Sequence, residues 1–397
     1  MATKRLKLYD LVESEVASGV VLIIVFALAF LLANINVTAD LYSSLVYLPI
    51  KLGQGNFSYA TTFIQLVNDG LMTLFFLFIG LELKYQLVCG EYQDRKTLIL
   101  PTMAATGGII APAIFYLVFN MNQESAKGWA IPIATDTAFM LGILSLFGRL
   151  ITQKIRAFIL SFSLIDDALA LIILAIFFSA KINLMALSGV FVIIGVLLMV
   201  NYFNIRTNSL YLGLGAILWL LMVESGIHGT LSGAVLAMTI PVMIDGKINT
   251  SFHALEQTLR PLVCFIILPI FVFLNSGIDL DHLTVDRLLS PIALGTITGL
   301  FFGKQIGLFG FSWLAVKLNW AHLPGRTSWS LLYAISILGG TGFTLSLFIG
   351  DLTFEAFAPN YEMRVGVIAG SLLSILWGVI VLNIIKPRRH HDDQHMN

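Results

Sequence analysis

Two adjacent aspartates lie in the middle of an apolar run. Residues 161–178 read SFSLIDDALALIILAIFF, and Asp166 and Asp167 are the charged residues in it. A carboxylate in hydrocarbon costs at least about 2.5 kcal/mol, so such a residue is kept mainly where it is used. Carboxylate oxygens are ligands that small hard cations prefer, and they also exchange protons. The pair therefore predicts a site where a sodium or lithium ion and protons compete for the same oxygens.

The two aspartates need different partners. Consecutive residues on a helix lie about 100° apart, so Asp166 and Asp167 cannot point the same way. One can face a cation pathway while the other meets a base, and Lys304 in FFGKQIG is the lysine available within an apolar run. The alternative is that Asp166 and Lys304 form a buried salt bridge that only ties two helices together. For Asp167 the functional interpretation is stronger, since intramembrane acids are functional by default.

A third acid follows a break in another apolar run. In GWAIPIATDTAFMLGIL, Pro132 removes a backbone donor, and Thr135 and Asp136 follow within a turn. Asp136 can cap a half-helix by accepting from exposed backbone N–H groups. It can also, together with Lys304, neutralise the opposed dipole ends of two half-helices that meet at this point. The two roles are compatible.

Three further titratable residues are candidates for pH sensing. Glu82 in FIGLELKYQL lies near the end of its apolar run, and a side chain that reaches water is the plain alternative. Glu256 in HALEQTLRP and His228 in ESGIHGTLSG are predicted near opposite membrane faces. A lone histidine is more often a packing residue than a switch, although its ordinary pKa suits pH sensing.

The composition places these residues in a membrane protein. Of 397 residues, 57% are hydrophobic and 12% are charged, and the formal net charge is zero. This predicts an all-α polytopic membrane protein, 1–397 forming a single domain, and it excludes a nucleic-acid partner, which needs a basic stripe. Cys89 and Cys264 have no metal-ligand spacing around them, and we expect no cofactor. Apolar windows predict about twelve spans. They lie at 16–33, 62–83, 98–119, 129–147, 155–180, 184–203, 208–223, 226–244, 261–278, 291–316, 330–350 and 362–385.

The distribution of positive charge predicts the orientation. Most of the 23 Lys and Arg residues fall on one set of alternate loops, together with both ends of the chain. Since basic loops stay inside, we expect cytoplasmic N- and C-termini, with a short polar tail at 386–397. The opposite loop 34–61 is long enough to contribute to a contact between two copies, so a homodimer is possible.

The fourth and eleventh predicted spans are interrupted. Pro132 breaks the fourth, and the eleventh carries the run Gly339, Gly340, Thr341, Gly342, which has almost no helical propensity. Lipid-exposed unwinding is not tolerated, so both breaks must be buried or line a water-filled cavity. Each is the middle member of a three-span group, 98–180 and 291–385, and the groups run in opposite directions. Interrupted helices in inverted repeats point to a secondary transporter with its site near the midplane.

Six stretches in order along the chain resemble the NhaA-type sodium/proton antiporters. They are FFLFIGLELK, GWAIPIATDTAFMLG, LIDDALA, SGIHGTLSG, FFGKQIG and GGTGFTLSLFIG. The resemblance implies twelve helices, the fourth and eleventh of which unwind and cross at mid-membrane. It implies that Asp167 is the cation ligand, that Asp166 is an essential carboxylate able to pair with Lys304, and that Thr135 and Asp136 lie at the crossing. Gln86, Gln257 and Arg260 depart from the family pattern, and these departures fall among the residues expected to set the pH profile, outside the transport core.

The sequence therefore predicts an electrogenic antiporter of the bacterial cytoplasmic membrane. It would export sodium or lithium for a larger number of incoming protons, regulated by pH, and would not be an enzyme. A related cation-coupled symporter is the main alternative. A channel would favour continuous polar stripes on several helices, which the sequence lacks. An intramembrane aspartyl protease would need two acids converging from separate helices, and here the strongest pair is sequential.

Overall fold

A computed structural model describes residues 15–52, 59–89, 95–147, 152–178, 183–244, 246–325, 327–354 and 356–385. The predicted polar tail 386–397 lies outside the described residues. Within them the protein is all-α apart from two short hairpins, as the composition predicts. The predicted loop 34–61 holds a short helix and the first of these hairpins.

The first half of the chain contains five long helices and one broken span. In chain order its elements are α1 (Glu15–Asn34), α2 (Ala39–Val46), β1 (Pro49–Leu52), β2 (Tyr59–Thr62), α3 (Phe63–Val88), α4 (Arg95–Asn120), a 3-10 helix (Glu124–Ile133), α5 (Thr137–Ser145), α6 (Gln153–Phe177) and α7 (Leu184–Tyr202). α3 contains a π-helical turn at Val67–Leu71.

The second half of the chain also consists mainly of long helices and contains one broken span. Its elements are α8 (Asn208–Ser225), α9 (Leu231–Thr239), β3 (Met243–Ile244), β4 (Lys247–Ile248), α10 (Thr250–Asn275), a 3-10 helix (Leu280–His282), α11 (Val285–Leu288), α12 (Pro291–Lys317), α13 (Trp329–Leu338), α14 (Phe343–Thr353) and α15 (Phe357–Ile385). α10 and α12 each contain a π-helical turn, at Val263–Ile267 and Gly299–Gly303.

The number of spans differs slightly from the sequence prediction. Within the described residues, 10 helices are long and apolar enough to cross a membrane, or 11 if the bent pair Glu124–Ile133 and Thr137–Ser145 forms one span. The count takes α13 and α14 together as one span. The chain is thus a multi-pass membrane protein, and eleven of the twelve predicted windows correspond to these spans.

The twelfth window, 226–244, does not form a membrane-length helix. Gly226 ends α8 in the left-handed conformation with φ of 82°. The window then contains only α9, whose nine residues reach about 13 Å against about 30 Å of hydrocarbon. The Nζ atom of Lys84 donates to the carbonyl oxygen of Met238 at 2.7 Å, so a side chain from α3 satisfies the end of this short helix.

Both predicted breaks are present. The fourth span bends by 41° between the 3-10 helix that contains Pro132 and helix α5. The eleventh span is interrupted at 339–342, between α13 and α14. Residues 134–136 and 339–342 are all buried, which fits the rule that irregular backbone at membrane depth is enclosed by protein.

Helices α4 and α12 cross at glycine. A Cβ atom on Gly107 would collide with the carbonyl oxygen of Gly307, and one on Gly307 would collide with that of Gly107. Small residues at such a crossing let two backbones approach closely in a membrane. α4 and α12 are the first members of the two predicted repeats, and their contact brings the regions that follow, with the two breaks, to one place.

A buried polar cluster joins four spans at one end of the protein. The guanidinium of Arg364 on α15 lies 2.8 Å from Asp351 Oδ1 on α14 and donates to the carbonyl oxygen of Asn275 on α10 at 2.9 Å. The amide of Asn68 on α3 donates to Asp351 Oδ2 at 3.1 Å, and Asn360 accepts from Arg364 at 2.8 Å. We call these five residues the Arg364 cluster. Asn68 and Glu82 are fourteen residues apart on α3, so the cluster lies about 20 Å from Glu82 along the helix axis.

Candidate cation-binding site

The two breaks cross each other and exchange hydrogen bonds. The backbone N–H of Asp136 donates to the carbonyl oxygen of Thr341 at 2.5 Å. The hydroxyl of Thr135 donates to the carbonyl oxygen of Gly339 at 3.1 Å. Each unwound segment thereby satisfies polar groups that the other leaves without helical partners, as backbone inside a membrane requires.

Gly342 lies where the two segments are closest. A Cβ atom there would come within 2.6 Å of the carbonyl oxygen of Ala134 and within 2.7 Å of a methyl carbon of Leu300. A contact to backbone at that distance cannot be relieved by a rotamer change. Glycine is therefore required at 342 because another chain segment occupies the space of a side chain.

Asp136 caps two half-helices at once. Its Oδ1 atom accepts from the backbone N–H of Phe139 in α5 at 3.5 Å, and its Oδ2 atom accepts from the backbone N–H of Thr344 in α14 at 3.2 Å. Both donors belong to the first turn of a helix, where the dipole ends are positive. One negative side chain therefore compensates two positive helix ends that meet inside the membrane.

Lys304 is the positive counterpart of Asp136 in this arrangement. Its side chain is 0% exposed, and its Nζ atom lies 3.0 Å from Asp166 Oδ2 and 2.8 Å from the hydroxyl oxygen of Thr135. Thr135 in turn contacts the carbonyl of Gly339 at the end of α13, where the dipole is negative. The ammonium thus contacts a carboxylate directly and, through Thr135, is linked to the negative end of α13.

Asp167 faces a different environment from Asp166. The half-buried Asp167 lines a cavity of about 320 Å³, which Thr135 and Asp136 also line. Among the described residues its Oδ1 atom is buried and has no hydrogen-bond partner. The rotation of about 100° between consecutive helical residues accounts for the division. Asp166 points to Lys304, and Asp167 points to the cavity.

The other end of the cavity carries a cluster of charges. Arg260 lies 2.8 Å from Glu82 Oε2 and 3.0 Å from Glu256 Oε1. His253 Nδ1 lies 3.3 Å from Glu256 Oε2, and the amide of Gln86 donates to Glu82 at 3.0 Å. Glu82, Gln86 and Arg260 line the cavity. We call these five residues the mouth cluster.

The structure brings Glu82 and Glu256 together but leaves His228 apart. His228 is half-buried in the turn between α8 and α9. The whole of α9, about 13 Å long, separates it from the Lys84 end of α3. The bridging role of Arg260 was not predicted, although its i+4 spacing from Glu256 is that of an ion pair on a helix.

Two hydroxyl groups in the cavity wall were also missed. Thr137 is the first residue of α5 and Ser163 lies on α6, and their side-chain oxygens are in hydrogen-bond contact. Both line the cavity together with Asp167. Ser163 precedes Asp167 by four residues, which places the two on the same helix face, and this spacing was the available signal.

Comparison with known proteins identifies the family. A family model described as Na+/H+ antiporter 1 matches residues 9–382. The Na(+)/H(+) antiporter NhaA of Rickettsia massiliae (strain Mtu5) is 51% identical over 381 residues, which cover 95% of this chain and 94% of that protein. The Na(+)/H(+) antiporter NhaA of Sulfurovum sp. (strain NBC37-1) is 38% identical over 381 residues, which cover 95% of this chain and 97% of that protein.

A similar solved structure is that of the sodium proton antiporter MjNhaP1 from Methanocaldococcus jannaschii at pH 8. It covers 93% of this chain and 99% of that chain, with 17% sequence identity and a TM-score of 0.46. The family assignment comes from the sequence comparisons, since the family model spans nearly the whole chain and a relative is 51% identical. The chain belongs to the Na+/H+ antiporter 1 family.

Proposed function

We propose that this protein exports sodium or lithium ions in exchange for protons, as a secondary antiporter working by alternating access. The observation that carries the proposal is the position of Asp167. Asp167 lines an internal cavity and has a buried carboxylate oxygen without a hydrogen-bond partner among the described residues, while the neighbouring Asp166 is paired with the buried Lys304. Sodium/proton antiport is also the activity named for the relatives in the same family.

Competition for the same oxygens couples the two fluxes. A cation cannot bind at Asp167 and Asp166 until protons leave, and reprotonation expels it, so each ligand must bind the other's state poorly. Asp166 contacts Lys304 through Oδ2, and its buried Oδ1 atom has no hydrogen-bond partner among the described residues, so Asp166 can also offer an oxygen to the cation. Exchange of one cation for protons on two carboxylates moves net charge, which makes the transport electrogenic.

The crossing of the two breaks supports the site. Asp136, Thr135 and Gly342 hold the two unwound segments together, and Lys304 completes the charge balance. Such half-helices are joined by a few hydrogen bonds rather than by a continuous helical ladder. They can therefore shift relative to each other while the site remains between them.

The mouth cluster is our candidate for pH regulation. Glu82 and Glu256 share one guanidinium at the cavity end, and protonation of either carboxylate would change the charge that an entering cation meets. His228 lies elsewhere, so a contribution from it would act through the packing of α8 and α9. Arg260 does not titrate in the physiological range, so its positive charge between the two carboxylates is constant.

The positive-inside distribution supports a location in the cytoplasmic membrane of a bacterium with both termini cytoplasmic. This orientation requires an even number of crossings, so residues 226–244, which contain the short α9, would make the twelfth crossing in addition to the eleven helical spans. In that orientation the mouth cluster lies at the cytoplasmic side and the Arg364 cluster at the outer side. The cavity would then be open inward in this conformation.

The inverted repeats 98–180 and 291–385 remain part of the proposal, supported by the crossing of α4 with α12 and of the two breaks. A homodimer through loop 34–61 is likewise proposed.

The test is collapse of a proton gradient by sodium or lithium in inside-out membrane vesicles, measured across pH. We expect the wild-type protein to collapse the gradient and Asp167→Asn to be inactive. Asp40→Asn, which removes an exposed acid near the start of α2, is the matched control and should remain active. A folded wild-type protein that responds to neither cation at any pH would overturn the antiport function. Activity in Asp167→Asn would overturn the assigned site, and the sign of the proton movement distinguishes antiport from symport.

A further inference from the structure

The cavity wall beside Asp167 carries a pair of hydroxyl groups that the proposed site does not yet use. Thr137 Oγ1 and Ser163 Oγ contact each other, and Ser163 is 2% exposed. The pair links the half-helix α5 to α6, one helical turn from Asp167. Both residues line the same cavity as Asp167.

Two other hydroxyl groups of the cavity wall donate to backbone carbonyls. Ser18 donates to the carbonyl oxygen of Cys264 at 3.3 Å, and Thr135 donates to that of Gly339 at 3.1 Å. A hydroxyl–hydroxyl pair uses one proton between two oxygens, and each hydroxyl oxygen carries two lone pairs. Thr137 and Ser163 therefore keep acceptor capacity that can be directed at a cation.

A cation at Asp167 needs such neutral oxygens. Hard cations take several oxygen ligands, and a cation leaving water must replace its hydration shell. Asp167 supplies charge through an oxygen that has no partner among the described residues. Carboxylates alone would also hold the ion strongly, whereas hydroxyl oxygens complete the shell without adding charge.

We propose that the hydroxyls of Thr137 and Ser163 are ligands of the transported cation beside Asp167, and that they set the preference between sodium and lithium. This inference rests on the proposed antiport function. Selectivity between cations of different size depends on cavity size and ligand number. The smaller lithium ion needs fewer ligands, so loss of the two hydroxyls affects sodium binding more than lithium binding.

The experiment compares Thr137→Val, Ser163→Ala and the double variant in inside-out vesicles. The half-saturating concentrations of sodium and lithium and the maximal rates are measured at one pH where the wild type is active. Thr137→Ser keeps the hydroxyl. Ser161→Ala is the matched control, because Ser161 lines the same cavity on the same helix but lies on a different face from Asp167. Sodium binding to the purified variants is measured by calorimetry, and thermal unfolding is recorded in parallel.

We expect each single substitution to raise the half-saturating sodium concentration about fivefold, the effect of losing one polar contact. The double variant should raise the half-saturating sodium concentration further and should raise the half-saturating lithium concentration less. Thr137→Ser and Ser161→Ala should remain near the wild type. A lower unfolding temperature with unchanged half-saturating concentrations would show that the pair only ties α5 to α6, and would overturn the inference. Equal losses in Ser161→Ala would also overturn it, since general cavity polarity would then suffice. Both results leave antiport intact, whereas a wild type without sodium or lithium response overturns antiport and the ligand role together.

Discussion

The carboxylate of Asp136 accepts a hydrogen bond from the backbone N–H of Thr344, 208 residues further along the chain, at a distance of 3.2 Å. The same carboxylate caps α5 through Phe139. Two half-helices from distant parts of the sequence thus share one negative charge at their positive ends.

We expect Asp136→Ala to destabilise the crossing, because an N-cap lost to alanine costs about 0.5–2 kcal/mol and this residue caps two helices. Asp136→Asn keeps an acceptor oxygen and should unfold at a higher temperature than Asp136→Ala. Both variants should have a reduced maximal transport rate, since neither neutralises the helix ends. Thermal unfolding in detergent and vesicle transport are the measurements. Equal unfolding temperatures for Asp136→Ala and the wild type would contradict the double-cap role.

The ion pair of Asp166 with Lys304 should behave as a buried pair. Lys304→Met leaves Asp166 unpaired and should destabilise the protein by about 3–5 kcal/mol, as breaking buried pairs does. The loss should be smaller at acidic pH, where the carboxyl can be protonated and no charge remains buried. Adding Asp166→Asn should recover much of the loss, because both charges are then gone.

The measurement is the unfolding temperature of Lys304→Met and of the double variant with Asp166→Asn, at acidic and alkaline pH. Asp167→Asn is the internal control, since the Oδ1 atom of Asp167 has no partner among the described residues. It should abolish transport with little change in stability. A double variant no more stable than Lys304→Met would show that the two residues are not energetically coupled.

Gly342→Ala should disrupt the crossing, because the new Cβ atom would lie 2.6 Å from the carbonyl oxygen of Ala134. The breaks must then move apart, which lengthens the hydrogen bond from Asp136 to Thr341. We expect loss of transport at normal membrane insertion. Gly195→Ala on α7 is the control, since a Cβ atom there meets nothing within 4 Å. Full activity in Gly342→Ala would contradict the close approach of the two segments.

Arg260→His should make the apparent sodium affinity more dependent on pH. A guanidinium keeps its charge throughout the physiological range, whereas an imidazole ordinarily loses its charge near pH 6.5. Above that pH the variant leaves Glu82 and Glu256 without their cation, and their negative charge attracts sodium to the cavity mouth. The half-saturating sodium concentration should therefore fall more between pH 6 and pH 8 than in the wild type.

The measurement for this variant is the sodium titration repeated at low and high ionic strength with an inert salt. Because Arg260 is 41% exposed, the added pH dependence should shrink as salt is raised. Arg260→Lys keeps the charge and serves as control. An identical pH profile for Arg260→His and Arg260→Lys would remove the mouth cluster from pH regulation.

Breaking the Arg364 cluster should favour opening at that end of the protein. Arg364 ties α14 and α15 to α3 and α10, and alternating access requires such contacts to separate when the cavity closes at the mouth cluster. In a Cys89→Ser background, Arg364→Gln should slow the labelling of Cys264, which lines the cavity, by a membrane-impermeant maleimide in inside-out vesicles. Arg287→Gln, whose guanidinium lies over the rings of Phe357 and Tyr361, is the control. Unchanged or faster labelling in Arg364→Gln would show that the cluster does not close this path.

Much of the fold could be predicted from local sequence because its signals are local. A run of apolar residues long enough for the bilayer forms a helix wherever it occurs, and Pro132 and Gly339–Gly342 interrupt a helix by their own backbone properties. The window 226–244 was the exception. Its hydropathy suited a span, but Gly226 ended the preceding helix and left room for only the short α9.

Residue order, hydropathy and helical rotation were enough to predict the family, the charged residues inside the membrane and the different directions in which Asp166 and Asp167 point. Which distant groups meet became clear from the packing of the helices. Asp136 with Thr344, Arg260 with Glu82, and Thr137 with Ser163 are contacts between separate helices. No spacing along the chain encodes such pairs, since they depend on how the helices pack, and the packing depends on the side chains of all of them together.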